Sequence, residues 1–334
     1  MSMLAQQMIK KFAGKSTVDF SQVSIIILTK NAGSLFQEVL RCLFNCVGID
    51  ETEIILVDSG SRDLTLNYAK RYRQIHIHCI LPGEFGHGRT RNLGATLSKG
   101  DILIFLVQDA SPTTPDFLAR LVTPLKQPLV AAAYGRQLPR ATANPVEQFY
   151  LQATYPDLSQ TRQFDSSSQP NIHSIFFSNV CSAIKRQVWE QVPFDESLIM
   201  SEDQQWAKAV LQKGFSIVYE PAAAVWHSHN YGLKQVLQRN FDSGCSLRGV
   251  VGDSLSQMVA YELIHLRAGI KHLVREGKAA WMPYFILREA VRCFGFFFGK
   301  ISHLLPAWIK IHLSLHKYYW KMQGKKAGNP RQWS

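Results

Sequence analysis

Two apolar runs of the chain each end in an aspartate. Residues 54–57 lead directly into Asp58, and residues 102–107 lead into Gln108 and Asp109. A continuous apolar run bounded by polar residues predicts a strand that is buried on both faces. Ligands of an open parallel sheet bind outside the carboxyl ends of its strands. Because aspartates are seldom buried without a partner, we expect these two to face a metal, a base edge or a sugar hydroxyl.

A second acidic pair, Glu202 and Asp203, opens a predicted helix. A structural alternative is that Ser201 caps this helix with Gln204 completing a capping box, but that alternative does not explain two adjacent acids. His227 lies 24 positions after Asp203 and is one of two histidines that flank a serine. A neutral imidazole there could complete a metal site with the aspartate that follows the longer apolar run.

Residues 85–94 combine glycines and arginines just before another predicted helix. Backbone N–H groups, a helix dipole and guanidinium groups together favour a bound diphosphate, although an exposed loop with solvated arginines is the alternative. The segment is not a dinucleotide fingerprint, because Arg91 stands where that motif needs its third glycine. No phosphate-binding P-loop motif occurs in the sequence either. An oxidoreductase is disfavoured because its glycine fingerprint is absent.

The elements that must position these residues alternate between strand and helix. Strands are predicted at residues 23–29, 53–57, 76–80 and 102–107, and helices at 35–46, 64–73, 89–98 and 115–125. This order predicts an α/β fold with a doubly wound, mostly parallel sheet flanked by helices. Residues 156–174 are polar and predict a long loop, and the pattern from 233 to about 322 is helical.

Size and composition predict an ordered protein with a large core. The chain has 334 residues, of which 46% are hydrophobic. Its six cysteines are dispersed, which predicts reduced and mostly buried thiols in a cytosolic protein. No signal peptide is recognised, and no apolar stretch reaches the roughly 18 residues that a spanning helix needs.

Positive charge is concentrated at the end of the chain. Residues 1–233 hold 21 Lys and Arg against 20 Asp and Glu, whereas residues 234–334 hold 16 against 5. Residues 281–323 interleave aromatic and basic side chains, which favours contact with an anionic membrane surface. A helical cap on the body or an oligomer interface is the alternative. No nucleic-acid partner is expected, because no recognition motif for one is present.

Taken in order, these motifs resemble the family-two glycosyltransferases over roughly residues 22–250. These are inverting enzymes of GT-A fold that use nucleoside-diphosphate sugars. The resemblance rests on residues 26–31, 57–63, 88–92, 108–110, 202–203 and 225–227. Residues 85–92 and 108–110 most resemble the rhamnosyltransferase branch, which builds bacterial surface polysaccharides.

The resemblance implies a role for each site residue. Thr29, Asn31 and Asp58 would hold the nucleoside, with Gln108 also on the donor side. Arg91 would contact the diphosphate or the base. Asp109 and His227 would bind Mg²⁺ or Mn²⁺. Asp203 would be the general base, and Glu202 would orient the acceptor. The family's common Asp-x-Asp is here residues 108–110 (Gln-Asp-Ala), so one carboxylate is lost.

The predicted function is transfer of rhamnose from dTDP-rhamnose to a glycan or a lipid-linked acceptor. The alternatives are a UDP-linked hexose or galactofuranose donor, or a non-catalytic subunit that binds sugar nucleotide or lipid. The predicted domains are a lead-in at 1–21, a GT-A domain at 22–232 and a basic helical module at 233–334. Within the GT-A domain, residues 22–112 would bind nucleotide and 113–232 would bind acceptor. The predicted location is the cytoplasm, at the inner face of the cell membrane.

Overall fold

One mixed sheet organises the first two thirds of the molecule. The computed structural model describes residues 18–164, 170–252 and 255–321. The strands are β1 Val23–Thr29, β2 Glu53–Asp58, β3 Ile75–Cys79, β4 Ile102–Val107, β5 Ser111–Pro112, β6 Val130–Leu138, β7 Gln160–Arg162, β8 Cys181–Lys185 and β9 Ser216–Trp226. Their order is β3-β2-β1-β4-β8-β6-β9-β5, and β7 pairs with β9.

The four strands predicted from apolar runs pair in parallel, in the order β3-β2-β1-β4. The register pairs Thr29 with Asp58 and Leu28 with Val107, so β1, β2 and β4 end at one edge of the sheet. Successive side chains of β1 enter different cores: Ile25 and Ile27 pack on one face, and Ile26 packs on the other. This double burial explains why the strands are continuous apolar runs.

Helices cover both faces of the sheet and form the end of the chain. Their bounds are α1 Gly33–Leu43, α2 Thr65–Ala69, α3 His87–Leu97, α4 Phe117–Val122, α5 Pro145–Thr154, α6 Arg186–Gln191, α7 Glu202–Gln212, α8 Leu233–Ser246, α9 Leu255–Arg275, α10 Met282–Lys300 and α11 Ala307–Leu313. Short 3₁₀ turns lie at Phe20–Gln22, Ile49–Glu51, Thr123–Lys126, Ala279–Trp281 and Ser302–Leu304. The predicted α/β sheet and the predicted helical end of the chain are confirmed.

Several predicted elements differ from the observed ones. The helix predicted at 64–73 is only Thr65–Ala69, and the predicted loop at 156–174 contains β7. The serine-rich part of that loop, residues 165–169, lies outside the described residues, as do 1–17 and 322–334 at the chain ends. Neither β6 nor α5 was anticipated. The strand begins with a run of alanines, which favours a helix by propensity, and burial in the centre of the sheet overrides that preference.

The helices α8 and α10 pack almost backbone to backbone. A Cβ atom added to Gly299 would lie 2.2 Å from the carbonyl oxygen of Phe241, and one added to Gly244 would lie 2.3 Å from that of Phe296. Larger residues at these glycines would force the helices apart. In the described part of the chain, no helix is both long and apolar enough to cross a membrane. None of the six cysteines forms a disulfide; Cys79 is exposed, and the others are buried or half-buried.

Candidate active site

Asp58 organises the loop that follows β2. Its Oδ2 accepts hydrogen bonds from the hydroxyls of Thr29 (2.9 Å) and Ser61 (2.5 Å), and its Oδ1 accepts from the backbone N–H groups of Gly60 (3.0 Å) and Ser61 (2.8 Å). A carboxylate has about four lone-pair positions, and here the protein itself occupies them. Asp58 and Thr29 therefore fix the shape of the predicted nucleoside edge.

Asn31 and Gln108 tie neighbouring loops together at this edge. The backbone N–H of Asn31 donates to the hydroxyl of Ser61 (2.8 Å), and its side-chain oxygen accepts from the backbone N–H of Arg62 (2.8 Å). The side-chain oxygen of Gln108 accepts from the backbone N–H of Lys30 at 2.7 Å. Asn31 has a positive φ of 47°, an uncommon conformation for a residue other than glycine. The structure thus brings four predicted donor-side residues together.

Asp109, His227 and His229 form a compact cluster. One ligand atom from each lies within 4.8 Å of the others. The His229 Nε2 lies 3.2 Å from Asp109 Oδ2, the His227 Nε2 lies 3.5 Å from Asp109 Oδ1, and the two Nε2 atoms are 3.0 Å apart. Burial alone would raise the pKa of Asp109, but the two imidazoles outweigh it and hold that pKa well below its usual range.

A glutamine sets the proton position of His227. The Nδ1 of His227 lies 2.8 Å from the side-chain oxygen of Gln137, whose amide N–H group donates to Ser178 (3.1 Å) and to the hydroxyl of Tyr155. An oxygen partner favours the ring proton on Nδ1, so that Nε2 is the atom available to bind a cation. Burial lowers the pKa of His227, which keeps the ring in the neutral, metal-binding form. A carboxylate and two imidazoles that converge in this way fit a divalent cation.

Arg140 joins the two loops that carry the cluster. Its guanidinium donates to the backbone carbonyl of Asp109 (3.0 Å) and to the hydroxyl of Ser111 (2.9 Å), and it pairs with Glu38 of α1 at 2.9 Å. Its backbone N–H donates to the hydroxyl of Ser228, between the two histidines, at 3.0 Å. One residue therefore fixes the spacing between the aspartate loop and the histidine loop.

A buried ion pair supports His229 from the side of the C-terminal helices. The backbone N–H of His229 donates to Glu147 of α5 at 3.3 Å. The other carboxylate oxygen of Glu147 pairs with Arg288 of α10 at 3.1 Å, and both side chains are 11% exposed. The Arg288 guanidinium also lies 4.0 Å from the ring of Tyr150. The histidine loop thus depends on a helix that lies some sixty residues further along the chain.

The acidic pair at the start of α7 is divided in its contacts. Glu202 forms an ion pair with Arg91 of α3, and both side chains are less than 10% exposed. Asp203 makes no ion pair with the described residues; its carboxylate accepts from the backbone N–H groups of Asn179 (3.2 Å) and Gln204 (2.9 Å). The positive charge of Arg91 is therefore directed at Glu202, and a contact of Arg91 with the diphosphate or base stays a prediction.

These surroundings change the acidity of Asp203. Burial, together with the negative charge of Glu202, raises the pKa of Asp203 to about 7, although the positive charge of Arg91 opposes the rise. Ser201 stands at the N-cap position with a φ of 60°, and its side chain makes no capping bond. The capping-box alternative for Ser201 and Gln204 is therefore wrong. Strained backbone of this kind is often retained at functional sites.

The pair Glu202 and Asp203 and the cluster around Asp109 lie at one edge of the sheet. Strand β8 runs antiparallel to β4 and pairs Cys181 with Leu106, so Asn179, which holds Asp203, lies next to the end of β4. Asn92 fixes the adjoining loop: its side chain bonds Phe194 through both backbone groups (2.9 and 3.1 Å), Glu196 (3.0 Å) and the indole of Trp189 (3.0 Å). Asp203 and the cluster of Asp109, His227 and His229 therefore lie at the same edge of the sheet.

Several residues of this site are not predicted from the sequence. His227 is predicted as a ligand and His229 is not, although the alternation of the two histidines places both side chains within reach of Asp109. The residues that orient the ligands, namely Gln137, Arg140, Glu147 and Arg288, have no predicted role. These four are single polar residues in elements without a motif, so only the contacts identify them.

Comparison with known proteins agrees with this geometry. Residues 24–192 match the family described as Glycosyl transferase family 2. The chain is 33% identical over 307 residues to the O-antigen chain rhamnosyltransferase RfbN of Salmonella typhimurium, which covers 90% of this chain and 96% of that protein. It is 30% identical over 305 residues to the O-antigen chain rhamnosyltransferase WbaN of Salmonella anatum, covering 89% of this chain and 95% of that protein.

A solved structure shares the fold. The mannosyltransferase PcManGT from Pyrobaculum calidifontis, in complex with GDP-Man and Mn²⁺, superposes with a TM-score of 0.55 and 17% identity, covering 98% of this chain and 93% of that chain. At this identity the likeness shows the fold alone. The GT-A architecture expected from the sequence is confirmed.

Proposed function

Because the chain belongs to glycosyltransferase family 2 and is a glycosyltransferase, we propose that it transfers rhamnose from dTDP-rhamnose to a growing bacterial surface glycan. The acceptor is a glycan or a lipid-linked sugar. The observation that carries the donor proposal is the 33% identity to an O-antigen chain rhamnosyltransferase along 90% of the chain. The paired acidic clusters support the chemistry, since transfer needs both a base and a counter-charge for the departing diphosphate.

Asp203 acts as the general base in this proposal. An acceptor hydroxyl is a poor nucleophile, so a carboxylate at hydrogen-bond distance takes its proton as the new C–O bond forms. The raised pKa of Asp203 makes it a better proton acceptor near pH 7 than an ordinary aspartate. Glu202 and Arg91 position it by fixing the first turn of α7. A single attack from the face opposite the diphosphate inverts the anomeric centre.

Asp109, His227 and His229 hold the metal in this proposal. A bound divalent cation supplies Lewis-acid stabilisation of the charge that develops on the departing diphosphate. Two imidazoles beside a single carboxylate favour Mn²⁺ over Mg²⁺, because Mg²⁺ prefers an all-oxygen shell. The third ligand, His229, also compensates for the carboxylate that Gln108 replaces in the family motif.

Thr29, Asn31, Asp58 and Gln108 bind the donor mainly through the loops that they shape. The oxygens of Asp58 are occupied by Thr29, Gly60 and Ser61, and the N–H groups of residues 59–61 are also engaged, so the nucleoside is best contacted by the backbone carbonyls of residues 59–61. Asn31 and Gln108 keep Lys30 and the following turn in place.

The donor is tested by nucleoside diphosphate release from a panel of sugar nucleotides in Mn²⁺. We expect release from dTDP-rhamnose at a rate at least tenfold above that from UDP-galactose, UDP-glucose and GDP-mannose. Preferential release from a UDP- or GDP-sugar would overturn the rhamnose assignment and leave the transferase chemistry intact. Binding of each nucleotide by calorimetry, with and without Mn²⁺, separates donor choice from turnover.

We also propose that α10 rests on an anionic membrane, at the inner face of the cell membrane. Its buried face packs on α8 through Gly295 and Gly299, while the opposite face exposes only apolar side chains over three turns, including Ile286, Leu287, Phe294 (52%) and Phe297. This exposed set is the α10 stripe. Exposed cations on α9, at Arg267, Lys271 and Arg275, complement anionic headgroups.

The membrane proposal is tested on liposomes that contain anionic lipid. Because α10 packs on the body, substitution of exposed residues is preferable to deletion of 281–334, a segment whose last residues lie outside those described. We expect Phe294→Ser with Phe297→Ser to reduce cosedimentation several-fold without lowering the melting temperature. Unchanged binding, or self-association that disappears in the variant, would instead make the stripe an interface between copies.

A further inference from the structure

A cleft of about 780 Å³ lies beside the Asp109 cluster and the Glu202–Asp203 pair, and none of these residues lines it. Its walls are residues 82–89 before and within α3, residues 196–199 before α7, and residues 315–319 near the end of the described chain, with Lys30 at one margin. Lys30 is held by Gln108, next to the metal cluster, and Ile199 precedes Asp203 by four residues. The volume is that of a typical small-molecule site.

The wall formed by residues 315–319 is attached to the body at several points. Asp242 of α8 is fully buried and accepts the backbone N–H groups of Leu315 (2.9 Å) and His316 (3.2 Å). The hydroxyl of Tyr319 donates to the carbonyl of Ser197 at 3.0 Å. The rings of His316 and His87 meet edge to face, with centroids 5.2 Å apart. The C-terminal helical region therefore completes the cleft.

The charged side chains in the cleft are mostly cationic. Lys30, Arg89 and Lys317 line it, and Glu196, the one acid among the described lining residues, already pairs with Arg89 at 3.5 Å. Lys317 is exposed and forms no ion pair within the described residues. Tyr318 and Tyr319 add aromatic surface. An excess of positive charge in a concave site concentrates anionic ligands.

We propose that this cleft binds a diphosphate ester, with Lys317 and Lys30 contacting its phosphate oxygens. The inference rests on the proposed function, in which two substrates can carry a diphosphate: the sugar-nucleotide donor and a lipid-linked acceptor. The metal cluster lies outside the cleft and offers the donor diphosphate its own counter-charge. The cleft is therefore suited to the second diphosphate, that of the acceptor, placed within reach of Asp203.

The test uses the full chain with inorganic pyrophosphate and geranyl diphosphate as probes, measured by calorimetry in EDTA so that no cation contributes. Wild type should bind both probes, and Lys317→Ala should weaken binding about tenfold, the effect expected for one charge-assisted contact. Lys317→Arg should retain affinity. Lys321→Ala, an exposed lysine one helical turn further along that does not line the cleft, is the matched control.

A second arm identifies which substrate supplies the diphosphate. With Mn²⁺ and saturating dTDP, geranyl diphosphate should still bind if the cleft takes the acceptor; displacement by dTDP assigns the cleft to the donor. Probe binding that is equal in wild type, Lys317→Ala and Lys321→Ala overturns the proposal. These binding measurements do not require turnover. If no nucleoside diphosphate is released from dTDP-rhamnose, only the rhamnose assignment is contradicted, and the proposal for the cleft is tested separately.

Discussion

Asp109 and Asp203 lie at the same edge of the sheet, yet their surroundings shift their pKa values in opposite directions. Asp109 faces two imidazoles that hold its pKa low, so it stays ionised and suits a cation. Asp203 is buried beside Glu202, which forms the ion pair with Arg91, and the pKa of Asp203 is raised. When the surroundings of two neighbouring acids separate their pKa values in this way, the difference indicates which acid acts as a base and which stays ionised.

Asp109 and Asp203 are also held in place by different parts of the molecule. The histidine loop near Asp109 is braced by Arg140 and by the pair between Glu147 and Arg288, which reaches into α10. Asp203 depends on the first turn of α7 and on backbone N–H groups within the sheet domain. The domain boundary at residue 232 stays a prediction, and the pair between Glu147 and Arg288 joins residues on either side of it.

The largest effect is expected from Asp203→Asn. The amide keeps the size of the side chain and one of its two acceptor contacts, to Asn179 or to Gln204, but it cannot take a proton, so kcat should fall on the order of 10²–10⁴-fold. The affinity for dTDP, measured by calorimetry, should not change. Asp116→Asn, an exposed acid paired with Arg120, serves as control. A loss of dTDP affinity as large as the loss of rate would make Asp203 a binding residue, and the two acids would then not have different roles.

Asp109→Asn should act on binding as well as on rate. Loss of the only carboxylate in the metal cluster should lower kcat/KM roughly 10²-fold, the equivalent of a few kcal/mol of lost charge stabilisation. Mn²⁺ affinity, followed by electron paramagnetic resonance, should fall in parallel, and excess Mn²⁺ should restore part of the rate. Full activity of wild type in EDTA would remove the metal from the mechanism.

The pH dependence should distinguish the two acids. At saturating Mn²⁺, the transfer rate should fall towards tenfold per unit below about pH 7, because protonated Asp203 cannot act as base while Asp109 stays ionised. The free energy of unfolding should change in the opposite direction and rise as the pH falls. A pKa raised in the folded state means that this group's contribution is complete at low pH and is lost as pH rises through about 7.

Urea unfolding between pH 5 and 8 measures the second of these effects. Asp203→Asn should flatten that part of the stability profile, and it should be no less stable than wild type at pH 8. A wild-type transfer rate that is constant from pH 5 to 8 would contradict the raised pKa of Asp203.

A smaller effect is expected from Arg288, compared with Arg292 one turn further along α10. Arg288 is buried in its pair with Glu147, whereas Arg292 pairs with Glu289 at 3.0 Å with 24% of its side chain exposed. Replacing Arg288 by Met should cost about 3–5 kcal/mol of stability, and replacing Arg292 by Met should cost less. Only Arg288→Met should lower Mn²⁺ affinity, by about tenfold, because only its partner holds His229.

Two further variants complete that comparison. Arg288→Lys should recover much of the Mn²⁺ affinity by keeping a cation paired with Glu147. Arg288→Met with Glu147→Leu, which removes the acceptor of the His229 N–H, should recover stability without recovering affinity. An equal loss of Mn²⁺ affinity in Arg292→Met would show that general destabilisation, rather than positioning of the histidine loop, lies behind the effect.

The sequence predicted the parts of the fold whose signals are local. Buried strands need unbroken apolar runs, so β1, β2 and β4 were found within about a residue, and the acids that follow them were placed at the correct edge. The alanine-rich strand β6 was missed, because its residues carry no strand signal and only its place between β8 and β9 makes it one.

By itself, the sequence determined the family, the sheet edge and the residues Asp58, Asp109, Glu202, Asp203 and His227 as the polar groups there. Only the tertiary structure decided how their charges are shared: that Arg91 pairs with Glu202, that the oxygens of Asp58 are already occupied, and that His229 completes the cluster. The physical reason is that hydrogen bonds and ion pairs depend on distances of about 3 Å between residues up to 141 positions apart, and no local pattern encodes such distances.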